Sequence, residues 1–273
     1  MTFDTQSGQS LPRLLDIMRR LLAPDGCPWD REQTLATLRP YVIEEAHEVV
    51  DAIDGGNPDE LRDELGDLLF QIVFQAQLAS AKQWFGLDDV VTAICEKLIR
   101  RHPHVFGDEK VSSTSEVLAN WEALKAKEKV GRGVLDGVPK ALPALLRAVR
   151  VGDKAAHVGF DWPELAGARA KVDEELAELD EAVQSGDRQR AEEELGDVLF
   201  SLVSVARKLS VDPEAALRGT LDRFSDRVRS VEQLAKARGT EVARLDADTI
   251  DELWEQAKTQ AKAGEKARGA ARE

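Results

Sequence analysis

The chain has 273 residues, 42% hydrophobic and 32% charged, with a formal net charge of −14, which suits a soluble protein of one large or two small domains with a buried core. The acidity excludes a broad surface for nucleic-acid polymers, which need a basic footprint, but leaves room for small anionic substrates screened by a metal. Cys27 and Cys95 stand far apart without a CxxC partner, so neither a disulfide scaffold nor a thiolate zinc site is expected, and with no apolar leader and no run near ~18 apolar residues the chain reads as cytoplasmic and without a membrane partner.

Nearly every segment has helical periodicity, with Gly and Pro at the joints. Residues 11–22 form an amphipathic opening helix, followed by a turn-rich DGCPWD at Asp25–Asp30. A helix from about Leu38 to Ile53 ends at Gly55-Gly56, and Asn57-Pro58 supplies an N-cap and first-turn proline for the next helix, about Asp59 to Ser80. Further helices start at Asp88 and Ser115. The breaker-rich stretch 131–145 is expected to link residues 1–130 to a second domain, 146–260. There Gly159-x-x-Trp162 answers Gly26-x-x-Trp29, a glutamate helix starts near Lys171, and the turn Ser185-Gly186-Asp187 leads to the next helix. Asp212-Pro213 caps another, Thr249-x-x-Glu252 reads as a capping box, and residues 261–273 read as a frayed tail. The expected fold is all-α, a tandem repeat of two helical bundles.

The repeat carries chemistry. Glu44, Glu45 and Glu48 precede Glu64 and Asp67, and Glu174, Glu175 and Glu178 precede Glu194 and Asp197; the offset is 130 throughout (174−44, 194−64, 197−67). Residues three or four apart share a helix face, and a short loop makes each helix pair an antiparallel hairpin, so the acidic faces can oppose each other and offer four or five oxygens. Like charges about 4 Å apart cost roughly 4 kcal/mol per pair at an effective dielectric of about 20, which calls for a cation between them. An EExxE on a helix alone is usually a solvated face. Here the second helix of each pair continues as LLFQIVFQAQLA or LGDVLFSLVSVA, apolar almost all round as in a buried helix, with one polar stripe: Glu64, Asp67, Gln71, Gln75 and Glu194, Asp197, Ser201, Ser204. Buried charge needs a partner, and oxygen-only ligation suits Mg²⁺, Mn²⁺ or Ca²⁺. Since Mg²⁺ takes substrate phosphates as further ligands, a polyphosphate substrate is expected.

Cations follow each acidic pair. Arg223 and Arg227 lie one turn apart, as do Lys97 and Arg101; Trp254 and Lys258 are matched by Trp121 and Lys125. An indole beside a one-turn-away ammonium suits a base and its phosphates. At the offset of 130, Lys171 stands where the first half has Tyr41, and Arg190 where it has Glu60, so the second half is the better triphosphate site by charge. His102-Pro103-His104 reads as a structural turn.

These motifs, with GCPWD, RRHPHVF, EELGDVLF and VGFDW, resemble the MazG family of all-α nucleoside triphosphate pyrophosphohydrolases over residues 11–260. The resemblance implies two MazG-like helical domains and hydrolysis of nucleoside triphosphates (NTP or dNTP) to monophosphate and diphosphate with broad base selectivity. It implies Mg²⁺ as cofactor, with Mn²⁺ able to substitute, and a homodimer as the working unit. Metal ligands would be Glu175, Glu178, Glu194 and Asp197, with Glu45, Glu48, Glu64 and Asp67 their first-half equivalents. Nucleotide contacts would come from Lys171, Glu174, Arg190, Glu193, Arg223, Arg227, Trp254 and Lys258, and Glu174 or Glu175 would activate water. Arg190 and Arg223 stand where the family often has Lys, keeping charge but changing its geometry. The alternatives are a di-iron carboxylate bundle, which Glu44-x-x-His47 suggests but Ala177 in the second copy opposes, and a non-catalytic helical interaction module.

Overall fold

The computed structural model describes residues 10–114, 116, 117, 120, 121 and 133–270. Every regular element among them is helical, and the chain divides into two compact units, residues 1–130 and 131–273. No helix among the described residues is long and apolar enough to cross a membrane. The helix expected from Ser115 falls largely outside the described residues, and so does Lys125.

The first unit contains α1 (Ser10–Leu21), α2 (Pro28–Glu32), α3 (Arg39–Gly55), α4 (Pro58–Ala81), α5 (Leu87–Arg101) and α6 (Pro103–Phe106). The stretch expected as a turn at Asp25–Asp30 thus winds into the short helix α2, opened by Pro28 in its first turn. Helices α3 and α4 pack as an antiparallel hairpin with α1 on α4. The reversal is built locally. Gly56 ends α3 in the left-handed region, at φ 70°, where a side chain would be strained. Asn57 then caps α4 by accepting from the Asp59 amide at 3.1 Å, ahead of Pro58. Met18, Leu38, Val73, Phe74, Ala76 and Leu87 form the core, with Phe74 and Met18 fully buried.

The second unit contains α7 (Ala144–Ala156), α8 (Leu165–Ser185), α9 (Arg188–Lys208), α10 (Pro213–Ala237), a 3₁₀ turn at Val242–Arg244 and α11 (Ala247–Ala270). The glutamate helix α8 starts at Leu165, ahead of the expected Lys171. The α8–α9 hairpin repeats the first: Gly186 has φ 72° and Asp187 accepts from the Arg190 amide at 3.1 Å. Helix α7 packs on α9, fastened where Arg207 meets Asp153 at 2.9 Å and Asp161 at 3.5 Å and Lys208 meets Asp161 at 2.8 Å. Helices α10 and α11 enclose a smaller core of Val231, Ala235, Leu253 and Ala257.

The structure adds detail at three places. The cap of α11 is Asp246, whose carboxylate accepts from the Thr249 amide at 2.8 Å, so Thr249 lies inside the first turn. The stretch 133–143 is tied to the second unit, because the Lys154 ammonium donates to the carbonyls of Val134 and Asp136 at 3.3 and 2.8 Å. Helix α11 runs on to Ala270, through most of the segment read as a frayed tail.

Phe74→Ala should cost about 3–5 kcal/mol, the usual cavity and transfer loss for a buried ring. Urea unfolding followed by far-ultraviolet circular dichroism measures it; a shift under about 1 kcal/mol would contradict the core placement.

Candidate metal and nucleotide site

The hairpins bring the acids together. In the second unit, carboxylate oxygens of Glu175, Glu194 and Asp197 all lie within 4.8 Å of one another, and in the first unit Glu45, Glu64 and Asp67 do the same. The helix phase selects among the three glutamates. Glu175 is only 5% exposed and faces α9, whereas Glu174 lies on the outer side and Glu44 is exposed. Glu178 reaches the same cluster from one turn along. A hydrogen bond with Glu175, then desolvation and the Glu194 charge, hold its carboxyl above the ordinary range. In the first unit burial raises Glu45, with Asp67 and Glu48 adding repulsion, and burial followed by the Glu48 and Asp67 charges raises Glu64. Each cluster is therefore a convergent, oxygen-only donor set under electrostatic stress, which fits a hard divalent cation.

The two units handle that stress differently. Lys171 donates to Glu175 at 2.6 Å and to Glu174 at 2.8 Å, and these bonds, Glu174's first, hold the ammonium above its ordinary pKa. Arg190 meets Glu194 and Glu181, each at 3.4 Å. In the first unit no ion pair among the described residues reaches Glu45, Glu48, Glu64 or Asp67. Tyr41 instead packs edge-on against Trp29, 6.0 Å between centroids, and Glu60 accepts from Asn57 at 2.8 Å.

The polar stripes also differ. Ser201 and Ser204 are buried and satisfied, donating to the carbonyls of Val198 at 2.9 Å and Phe200 at 3.2 Å. Gln71, 5% exposed, directs its amide nitrogen at Glu45 from 3.5 Å.

The remaining candidates form a second group. Arg227 lies 5.8 Å from the Trp254 ring, which packs on Phe224 with 5.3 Å between centroids. Arg223 donates to Thr220 at 2.9 Å, and Lys258 pairs with Glu255 at 2.8 Å. These residues sit on α10 and α11, which pack on each other, and no hydrogen bond or ion pair among the described residues joins them to the acids. Glu193 is exposed and accepts from Gln189 at 3.2 Å. His47 is exposed and stands outside the acid cluster. His102 donates to the Leu98 carbonyl at 2.7 Å, as a structural turn would. Sequence reasoning missed the Asp153–Arg207–Asp161–Lys208 brace that holds the acid-bearing α9; its signal was Arg207-Lys208 directly after the apolar run.

Against known proteins, residues 33–106 and 166–231 match the MazG nucleotide pyrophosphohydrolase domain. A nucleoside triphosphate pyrophosphohydrolase of Escherichia coli K12 is 48% identical over 256 residues, covering 92% of this chain and 97% of that protein. The chain belongs to the MazG family. It is thus a hydrolase of the nucleotide pyrophosphohydrolase class, with two helical MazG-like repeats. The nucleoside triphosphate pyrophosphohydrolase/pyrophosphatase MazG of Thermotoga maritima is 43% identical, over 93% of this chain and 97% of its own length. The Mycobacterium tuberculosis nucleoside triphosphate pyrophosphohydrolase is 34% identical, over 93% of this chain and 68% of its own length.

The raised carboxyls give a pH-dependent outcome. A raised carboxyl pKa means the fold binds its proton more tightly than the unfolded chain does, so the contribution of these three groups to stability without metal is fully present below the ordinary carboxylate range and is lost as pH rises through the folded pKa. A divalent cation competes with those protons. Its increase in Tm should therefore be larger at about pH 8 than at about pH 5, as read by differential scanning fluorimetry. Equal increases would contradict the clustering.

Proposed function

We propose that the chain hydrolyses nucleoside triphosphates, NTP or dNTP, to the monophosphate and diphosphate in a Mg²⁺-dependent reaction, with Mn²⁺ able to substitute and with broad base selectivity. The observation that carries this reading is the buried Glu175 carboxylate drawn to within 4.8 Å of Glu194 and Asp197 oxygens, with Lys171 and Arg190 already bonded to that cluster. A polyanion that brings its own metal can take over both cations at once.

In this proposal Glu175, Glu178, Glu194 and Asp197 hold the metal. When bound, Mg²⁺ neutralises phosphate oxygens and makes a coordinated water more acidic. Glu174, more exposed than Glu175 and paired with Lys171, accepts the proton of the attacking water. The new bond forms at the α-phosphorus and the α–β bridging bond breaks, releasing pyrophosphate. Lys171 and Arg190 exchange their carboxylate partners for phosphate oxygens, and Arg223, Arg227 and Lys258 receive the leaving group. Trp254 offers a ring face to the base, where stacking gives loose selectivity, and Glu193 offers a polar contact to the nucleotide. The first-half acids Glu45, Glu48, Glu64 and Asp67 hold a cation likewise, with Tyr41 and Glu60 where the second half has Lys171 and Arg190.

The same reading includes a cytoplasmic homodimer. Helix α4 leaves Leu65, Leu69 and Ile72 40–49% exposed, and α9 leaves Leu195, Leu199 and Leu202 47–49% exposed. These stripes occupy matching repeat positions on helices whose sequence reads as buried all round, and contiguous exposed apolar surface calls for a cover. A second copy is the cover proposed.

Glu178→Gln should lower pyrophosphate release roughly 10²-fold or more while circular dichroism is unchanged, since one electrostatic group of a phosphoryl-transfer site is commonly worth that much. Unchanged turnover would remove the second-half site. Separately, Leu199→Glu should move the sedimenting species from about twice the 30.1 kDa chain mass towards one chain mass; a parent protein that is already monomeric would rule out the dimer.

A further inference from the structure

The second-unit hairpin is fastened at both ends, and its acids lie midway. At one end Gly186 and the Asp187 cap fix the turn. At the other, the loop after α7 supplies Asp161, whose carboxylate meets Lys208 at 2.8 Å and Arg207 at 3.5 Å, at the end of α9. Asp161 also accepts from the Trp162 amide at 3.0 Å, and the Trp162 ring packs on the first turn of α8, where a Cβ added to Gly167 would sit 2.7 Å from its Cδ1. Arg207 reaches on to Asp153 at 2.9 Å across Gly152, where a Cβ would come within 3.0 Å of the guanidinium. One loop carboxylate thus joins the end of α9 to the start of α8. Asp197 stands ten residues from each fastening on α9 (197−187, 207−197), about 15 Å along the helix. Desolvation alone would raise the Asp161 carboxyl, but the Lys208 hydrogen bond, with the Arg207 and Lys208 charges, outweighs it and holds the group below the ordinary range. The clasp therefore depends on the anion. The first-unit hairpin ends differently: Lys82, just after α4, lies over the Trp84 ring, 4.9 Å from its centroid. Partly buried ion pairs add little net stability, because desolvation offsets their attraction. Among the described residues this network belongs to one repeat alone, the one whose acids carry Lys171 and Arg190, and that points to geometry as its role.

We propose that Asp161 is a positioning residue for the pyrophosphohydrolase reaction: by clasping Arg207 and Lys208 it fixes the separation and register of α8 and α9 at Glu175, Glu194 and Asp197, without itself touching substrate or metal. This rests on the reading that the second-unit acids hold metal. Without the clasp the hairpin splays from its open end, the oxygens now within 4.8 Å of one another move apart, and metal binding weakens before anything else in the reaction changes.

The test uses the full chain carrying Glu64→Gln/Asp67→Asn as parent, so that Mn²⁺ bound with a non-hydrolysable triphosphate analogue, counted by electron paramagnetic resonance, reports the second cluster. Asp161→Asn keeps the size of the side chain and an acceptor for the Trp162 amide but removes the charge. At a temperature where it is fully folded it should weaken Mn²⁺ binding about 3- to 30-fold, the range of remote couplings carried by packed elements. Asp161→Glu, which keeps the anion, should retain most of the affinity. Pyrophosphate release by Asp161→Asn should need correspondingly more Mg²⁺ yet approach parental turnover at saturation. Lys208→Met removes one arm of the clasp and provides an independent variant should Asp161→Asn not fold. Lys154→Met, which frees the 133–143 stretch from α7 and leaves the clasp intact, should bind Mn²⁺ as the parent does. A lowered Tm with Mn²⁺ affinity within about twofold of the parent in both Asp161→Asn and Lys208→Met would leave the clasp a purely structural role and overturn the proposal, as would an equal loss in Lys154→Met. Either result, with the parent binding normally, leaves the pyrophosphohydrolase reading standing. A parent that binds no Mn²⁺ with the analogue would defeat both.

Discussion

Repulsion between carboxylates forced onto one seam is the constraint around which each unit is built. A helix hairpin brings two rows of side chains together at fixed register, and here those rows carry Glu175 and Glu178 against Glu194 and Asp197, or Glu45 and Glu48 against Glu64 and Asp67. The hairpin cannot relax by splaying, since α9 is braced to α7 through Arg207 and to the following Asp161 through Lys208 and α4 is packed into the core at Val73 and Phe74. With its geometry held by packing elsewhere, the seam can lower its energy only by protonation, by recruiting cations from its own chain, or by binding them from solution. The raised carboxyls of Glu45, Glu64 and Glu178 reflect the first route. Lys171 and Arg190 are the second.

The turn chemistry sets the register on which this depends. Gly56 and Gly186 occupy the left-handed region, and Asn57 and Asp187 cap the following helices at once, so each reversal leaves little freedom in how far one helix can slide along the other. A slip of one residue would rotate every acid by about 100° and scatter the oxygens. Small local caps, individually worth around 1 kcal/mol, thus control a site several turns away.

Much of this was legible in the residues. The 3.6-residue periodicity, the Gly-Gly and Ser-Gly-Asp breaks and the doubled spacing were enough to infer two acid-bearing hairpins. The phase within them was not readable. Glu44, Glu45 and Glu48 are chemically equivalent in the sequence, and the partner packed behind α3 decides that Glu45 turns inward while Glu44 stays in water. The apolar runs of α4 and α9 read as buried all round, yet Leu69 and Leu199 are exposed in the chain, because periodicity records that a face needs cover and not what provides it. Asp246 outcompeted Thr249 as the cap of α11, a choice between two good capping residues that only the backbone path resolves. The cations of α10 and α11 were matched to the acids by their order in the sequence, but that order carries no distance, and within the chain they make their own group around Trp254.

The contrast between the halves follows from a handful of positions. An acid cluster with an ammonium bonded to it at 2.6 Å is partly compensated, and an arriving ion competes with that ammonium. A polyphosphate changes the balance because it offers the displaced lysine and arginine new anions while supplying ligands to the metal. Under the proposed function, substrate and metal would then be thermodynamically linked, each raising the affinity for the other by the same factor. Where Tyr41 and Glu60 stand in place of Lys171 and Arg190, that exchange has no counterpart at the same two positions, while the carboxylates and their mutual repulsion remain. Two copies of one hairpin therefore differ in how their carboxylates are compensated, without any change in the acids themselves.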